Sequence, residues 1–145
     1  MKVEIIVGSM LGATEYVADE VERILLEHDI KVTIHLTPDI SELDTTIPWF
    51  ICTSTHGAGD LPDNIQPFAK QLEDQQLTQV NYQIIALGDS NYDTFCQAGH
   101  TMDELMKGCH AQPLSPILTV DVDEHMEPEL VVADWLNSKM PDLLS

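Results

Sequence analysis

The chain predicts an α/β fold, a three-layer doubly wound sandwich built on a five-stranded parallel sheet. Three observations predict it. Apolar strand patterns alternate with amphipathic helix patterns from one end to the other. Its central strands are continuous apolar runs, as expected of strands covered on both faces. And 145 residues suffice for one domain that buries one sizeable core.

The elements follow in order. "KVEIIVG" (2–8) is a strand. A helix follows over about 13–27, its buried stripe Val17, Val21, Ile24 and Leu25 recurring at i, i+4, i+7 and i+8. "KVTIHL" (31–36) alternates like a more exposed strand, and "PDISELD" forms a turn or two of helix at most. "PWFICTS" (48–54) is a continuous apolar strand that ends in hydroxyls. The next helix starts near Pro62, a residue suited to a first turn, and buries Ile65, Phe68, Ala69 and Leu72. "YQIIALG" (82–88) is the fourth strand. A helix from about Gln97 presents Ala98, Met102, Leu105 and Cys109. "PILTVDV" (116–122) is the fifth strand, and a last helix runs from Pro128 to Met140 with Val131, Val132, Trp135 and Leu136 inward. No linker, repeat or low-complexity tract interrupts a single domain over 1–145.

Composition narrows the function. Six Lys and Arg against 25 Asp and Glu give a net charge of −19. So acidic a surface has few cations with which to release counterions from nucleic acid, and it is repelled by anionic membranes. It suits a basic partner, although acidity also serves solubility alone. No apolar run approaches a membrane span, and the N-terminus is not a signal peptide, so a cytoplasmic location is expected. Three cysteines without CxxC spacing predict no disulfide framework, and Cys52 is a small core residue. Six scattered histidines give no metal-site signal.

In a doubly wound sheet the ligand crevice lies beyond the carboxyl ends of the strands. Three loops open there. "GSMLGATE" (8–15) turns strand into helix and offers backbone N–H groups with the Ser9 and Thr14 hydroxyls, which can cradle a phosphate or simply cap the helix. It is neither a Walker A loop nor GxGxxG, and all six Lys and Arg (Lys2, Arg23, Lys31, Lys70, Lys107, Lys139) lie outside it. Any phosphate there is held by uncharged donors, which suits an enclosed monophosphate. "STHGAGDLPDN" (54–64) lets backbone approach a flat ligand at Gly57 and Gly59, with His56 either facing that ligand or an idle surface histidine. "LGDSNYDTFCQAG" (87–99) places Tyr92 and Phe95 on a connection whose turn formers need neither ring. Phe95 also reads as an anchor under the helix. Tyr92 reads as a stacking ring, worth about 0.5–1.5 kcal/mol beyond area burial. A phosphorylated planar aromatic fits all three loops, and flavin mononucleotide (FMN) is the simplest.

These motifs carry a resemblance. "GSMLGATE" resembles the T/S-x-T-G-x-T-E phosphate loop of flavodoxins. "STHGAGDLPDN" and "LGDSNYDTFCQAG" are similar to the STxGxGxxPDN and LGDSxYxxFCxxG segments of the FMN domains in sulfite reductase flavoproteins and cytochrome P450 reductases. The likeness runs over nearly the whole chain. It implies a flavodoxin-like sheet in the order 2-1-3-4-5 and FMN as cofactor. It implies that Ser9, Met10, Leu11, Gly12, Ala13 and Thr14 wrap the phosphate. Ser54, Thr55, His56 and Gly57 would then line one face of the isoalloxazine. Leu87, Gly88, Asp89, Ser90, Asn91, Tyr92, Asp93, Thr94, Phe95 and Cys96 would cover the other, with Tyr92 stacking. Leu11 stands in place of a second hydroxyl, and His56 stands where relatives carry Tyr or Gln.

The function implied is a one-electron carrier, a monomer without a nicotinamide-binding domain of its own. It would dock on a basic-faced flavodoxin/ferredoxin reductase upstream and on a one-electron acceptor downstream, for example a radical-type enzyme such as biotin synthase. Stacking and negative surroundings disfavour the fully reduced anionic flavin, which makes the protein a stronger donor. By the same resemblance, a peptide at Gly57 can reorient toward flavin N5. Two rivals share the fold: an NAD(P)H-dependent quinone reductase, and a regulatory or scaffold module without flavin. A phospho-acceptor receiver is excluded, because "IIVGSM" and "ICTSTH" lack the acidic residues it needs.

Overall fold

A computed structural model describes residues 1–10 and 12–144. Strand β1 (Lys2–Gly8) leads to helix α1 (Ala13–Glu27), and β2 (Lys31–His35) follows. Then come β3 (Trp49–Ser54), α2 (Gln66–Leu72), β4 (Asn81–Gly88) and α3 (Gln97–Gly108). Two short strands, β5 (Gln112–Pro113) and β6 (Leu118–Asp121), precede α4 (Pro128–Leu143). All strand pairs are parallel, and the path across the sheet is β2-β1-β3-β4-β5. Strand β6 pairs with β4 further along the same edge, so β5 and β6 together fill the fifth position. The order 2-1-3-4-5 is the one the flavodoxin resemblance implies.

The fifth strand therefore departs from its expected span of 116–122: it is broken. Pro113 and Pro116 cannot donate to a ladder, so the chain leaves β4 between them. The buried Gln83 of β4 fills the gap. Its Nε2 donates to the Pro116 carbonyl at 3.1 Å, and its Oε1 accepts from the Ser115 hydroxyl at 2.6 Å. Helix α2 begins later than Pro62, because Pro62 instead caps a single 3₁₀ turn over Asp63–Ile65. Helix α4 runs past Met140 to Leu143, and Pro141 sits in its last turn, where little of the ladder remains to be broken.

Two cores flank the sheet. On one face, Val17, Val21, Ile24 and Leu25 of α1 meet Val132, Leu136 and Met140 of α4. On the other, Phe68 and Leu72 of α2 pack with Met102 and Met106 of α3 over Trp49 and Tyr82. In α3 the fully buried position is Met106 where the stripe predicts Leu105, which is half-buried. In α4, Val131 and Trp135 likewise remain half-buried beside the stripe. Cys52, Cys96 and Cys109 are buried free thiols. Among the described residues no helix is long and apolar enough to cross a membrane. With helices on both faces, every strand-to-helix connection opens on one edge of the sheet, and the site lies there.

Candidate functional site

The first loop is held from the side. Asn64, near the end of the second loop, accepts the Ser9 N–H through Oδ1 at 3.0 Å, and its Nδ2 donates to the carbonyls of Val7 and Leu36. The Ser9 hydroxyl accepts the Gly12 N–H at 3.0 Å, which leaves its own proton to be donated. Gly12 caps α1 in the left-handed region. One turn in, the Thr14 hydroxyl is buried and, among the described residues, has no hydrogen-bond partner.

The second loop closes on itself. The N–H of His56 donates to the Asp60 carbonyl at 2.8 Å, and that of Asp60 to the His56 carbonyl at 2.7 Å, making an antiparallel bridge around three residues. Gly57 and Gly59 take positive φ, 52° and 102°, which the short turn requires and most side chains resist. Thr55 ties this loop to the third, its Oγ1 accepting the Ala98 N–H at the start of α3 at 3.2 Å.

The third loop folds back over the end of β4. A Cβ on Gly88 would lie 2.6 Å from the Cys96 nitrogen, so only glycine admits the return. Asp89 Oδ1 accepts the Asn91 N–H at 2.9 Å, and Asp121 Oδ1, from the end of β6, accepts the Ser90 N–H at 3.1 Å. The Ser90 hydroxyl, and then the N–H groups of Ser90 and Asp123, hold the Asp121 carboxyl below the ordinary aspartate range.

Between these loops is a cavity of about 210 Å³, lined by Ser9, Met10, Ala13, Thr14, Ser54, Thr55, His56, Leu87, Gly88, Asp89 and Val122. A second cavity, about 260 Å³, is lined by Thr55, Gly57, Asp89, Tyr92 and Thr94. Thr55 and Asp89 line both, so the two adjoin. Tyr92 is 65% exposed at the rim. Of the residues expected at the site, these cavities bring together members of all three loops. Gly12, Ser90 and Asn91 shape the loops without lining either cavity, and Asp93 is exposed outside both. Leu11 lies outside the described residues. Phe95 and Cys96 point elsewhere. Phe95 packs against the α2–α3 core. Cys96 is fully buried, its thiol donates to the Ala86 carbonyl at 3.5 Å, and burial pushes its pKa up to about 11. Expected to cover the ligand, Cys96 is instead a floor beam of the loop.

Asn64, Val122 and Asp121 belong to the site, and sequence reasoning missed them. The "PDN" turn and the Asp at the end of "LTVD" are the signals that could have marked two of them. Among the described residues no group of His, Cys, Asp or Glu is placed to hold a metal.

A family model described as flavodoxin matches residues 5–135. The chain belongs to the flavodoxin family. It is 39% identical over 137 residues to the protein MioC homolog of Pasteurella multocida, covering 93% of each chain. It is 37% identical over 142 residues to flavodoxin YqcA of Escherichia coli K12, again 93% of each. A cysteine-to-alanine mutant of flavodoxin from Pseudomonas aeruginosa shares its fold with a TM-score of 0.90 at 31% identity over the whole of both chains. Oxidised flavodoxin 1 from Bacillus cereus, at 21% identity and a TM-score of 0.82 over the whole of both chains, shares the fold.

Flavodoxins bind FMN and are electron carriers. The residues of this chain fit that group. A buried hydroxyl without a partner costs about 1–3 kcal/mol and persists where a ligand satisfies it. Among the described residues Thr14 is such a hydroxyl, at the N-terminal turn of a 15-residue helix whose first N–H groups attract an anion. The cavity beside it carries no Lys or Arg, as an enclosed monophosphate held by neutral donors requires. His56 lines this cavity and Tyr92 the adjoining one, so each cavity offers one ring.

Proposed function

We propose that this chain is a single FMN-binding domain that carries electrons one at a time from a separate reductase to a downstream acceptor. FMN supplies the redox chemistry when bound. The chain's own residues do the rest. Ser9, Thr14 and the N–H groups at the start of α1 would hold the phosphate. Thr55 and Asn64 would keep the loops in register. Tyr92 would cover the ring and exclude water. With a net charge of −19, the chain suits partners whose docking surfaces are basic, a reductase upstream and an acceptor enzyme downstream.

The observation that carries this reading is the buried Thr14 hydroxyl beside the cavity, which among the described residues has no partner. It is tested by titrating the protein with FMN and with riboflavin, which lacks the phosphate, and following the quenching of flavin fluorescence. FMN is expected to bind at least about tenfold more tightly, the value of one charge-assisted hydrogen bond. Equal affinities overturn the phosphate assignment. Mixing the holoprotein with NADPH separates carrier from enzyme: a carrier keeps its oxidised spectrum until a reductase is added, whereas rapid bleaching by NADPH alone would make it a quinone reductase.

A further inference from the structure

We infer that His56 is a redox-linked proton acceptor, which takes one proton from water when the bound cofactor is fully reduced and releases it on oxidation. The inference rests on the reading that FMN occupies the cavity between the three loops. It starts from charge. The residues lining the two adjoining cavities are hydroxyls, apolar groups, glycines, one phenol, one carboxylate and one imidazole. Only the imidazole can become positive there. All six Lys and Arg lie outside the three loops, whose other titratable side chains are carboxyls, the Tyr92 phenol and the buried Cys96 thiol.

Those neighbours can be followed element by element. The first loop brings no ionisable side chain before Glu15, exposed in the first turn of α1. The second brings Asp60, whose carboxylate lies by Gly57, and the exposed Asp63. The third brings Asp89, Tyr92 and Asp93, the end of β6 brings Asp121, and the connection after it brings Asp123, Glu124, His125 and Glu127, of which His125 lies close enough to act on Asp121. Two of these carboxylates are already engaged by backbone N–H groups, Asp89 by Asn91 and Asp121 by Ser90 and Asp123. Carboxylates ionise well below the range in which imidazole gains or loses charge, so these acids form a constant negative background. Histidine is the side chain that ordinarily titrates between pH 5 and about 8.

The geometry makes the ring available. Two backbone hydrogen bonds, at 2.8 and 2.7 Å, fix the His56 peptide at the cavity mouth. The ring lines the cavity, is exposed to water, and among the described residues has no hydrogen bond or ion pair of its own. A water path and an unspent nitrogen are what a proton acceptor needs. The balance closes: two electrons arrive from the external reductant, the flavin binds its own proton or protons, and one further proton moves from water to the imidazole. Oxidation reverses each transfer. Because the protonated ring favours the more negative state, lowering the pH raises the potential of the second one-electron step.

The test uses the FMN-loaded protein. The imidazole C–H signals of the six histidines are followed by NMR against pH, once oxidised and once reduced with dithionite. The H56Q variant identifies the signal that belongs to His56. The expected result is about tenfold tighter proton binding at His56 in the reduced protein, a rise of one pH unit in its midpoint. In parallel, potentiometry from pH 5.5 to about 8 is expected to show the second one-electron potential climbing more steeply with acid in the wild type than in H56Q. One midpoint common to both redox states, or one slope common to both proteins, overturns the assignment while leaving FMN binding intact. Failure of the wild type to retain FMN overturns both readings together.

Discussion

Asn64 holds Ser9 in place: its side-chain oxygen accepts the Ser9 N–H at 3.0 Å, while its amide nitrogen donates to the Val7 and Leu36 carbonyls. One side chain thus ties the second loop to the first and to the end of β2. Asn64→Ala frees a donor and two acceptors at once. The expected loss is about 1–3 kcal/mol of stability, seen as a lower urea midpoint at unchanged slope, with FMN affinity falling about tenfold. An unchanged midpoint removes the strut.

Thr14→Val is expected to act with the opposite sign on stability. The exchange keeps the shape of the side chain and deletes a buried hydroxyl that, among the described residues, has no partner. The FMN-free protein is expected to gain about 1 kcal/mol, because the desolvation cost of that hydroxyl disappears. FMN binding is expected to weaken while riboflavin binding stays level. A variant that is less stable without flavin would mean that Thr14 has a structural partner after all.

These two residues also show what a sequence carries and what it does not. Thr14 was legible, because a Gly/Ser turn before an amphipathic helix marks an N-terminus wherever it occurs. The helix over Ala13–Glu27 and the strand over Lys2–Gly8 fall where the pattern puts them, since apolar periodicity is a local property. Asn64 was not legible in its role. Its partner lies 55 positions away, and the ties from Thr55 to Ala98 and from Asp121 to Ser90 span 43 and 31. No periodicity links such pairs; only the parallel sheet brings them to one edge. Cys96 misled for the related reason that a loop residue can turn inward, which depends on the close return past Gly88. The broken fifth strand was foreshadowed by Pro113 and Pro116, but Gln83, which fills the break, sits inside an apolar run and gives no local sign of it.

Gly88 and Gly108 form a matched pair. A methyl group on Gly88 would meet the Cys96 nitrogen at 2.6 Å and its sulfur at 2.9 Å, so the start of α3 must move. Gly88→Ala is expected to cost about 1–3 kcal/mol. A methyl group on Gly108, the last residue of α3, meets nothing within 4 Å, and Gly108→Ala is expected to gain up to about 1 kcal/mol. Thermal denaturation of both variants decides, and equal shifts would refute the close return of the third loop.

Charge sets the response to salt and acid. With 25 carboxylates against six cations, repulsion between like charges destabilises the compact state at neutral pH. Raising NaCl from about 10 mM to about 200 mM shortens the screening length from about 30 Å to below about 10 Å, so the melting temperature of the flavin-free protein is expected to rise. Acid works against a different set of groups. Besides Glu20, which hydrogen bonds from Arg23 hold down, hydroxyl and backbone N–H donors hold three carboxyls below the ordinary range: Asp39 from the Ser41 N–H and hydroxyl, Asp44 from the Thr46 hydroxyl and N–H, and Asp121 from Ser90. A depressed folded-state value contributes stability above the unfolded value, near about 3.9, and loses it as pH falls through the lower one. Stability is therefore expected to hold from about pH 7 to about 5, where relief of repulsion only helps, and to decline below about 4 as these three protonate. Asp121→Asn removes one of the three and is expected to flatten the acid limb of the curve, measured by urea unfolding at stepped pH. An acid limb identical to that of the wild type would mean that the Ser90–Asp121 tie stores no pH-dependent stability.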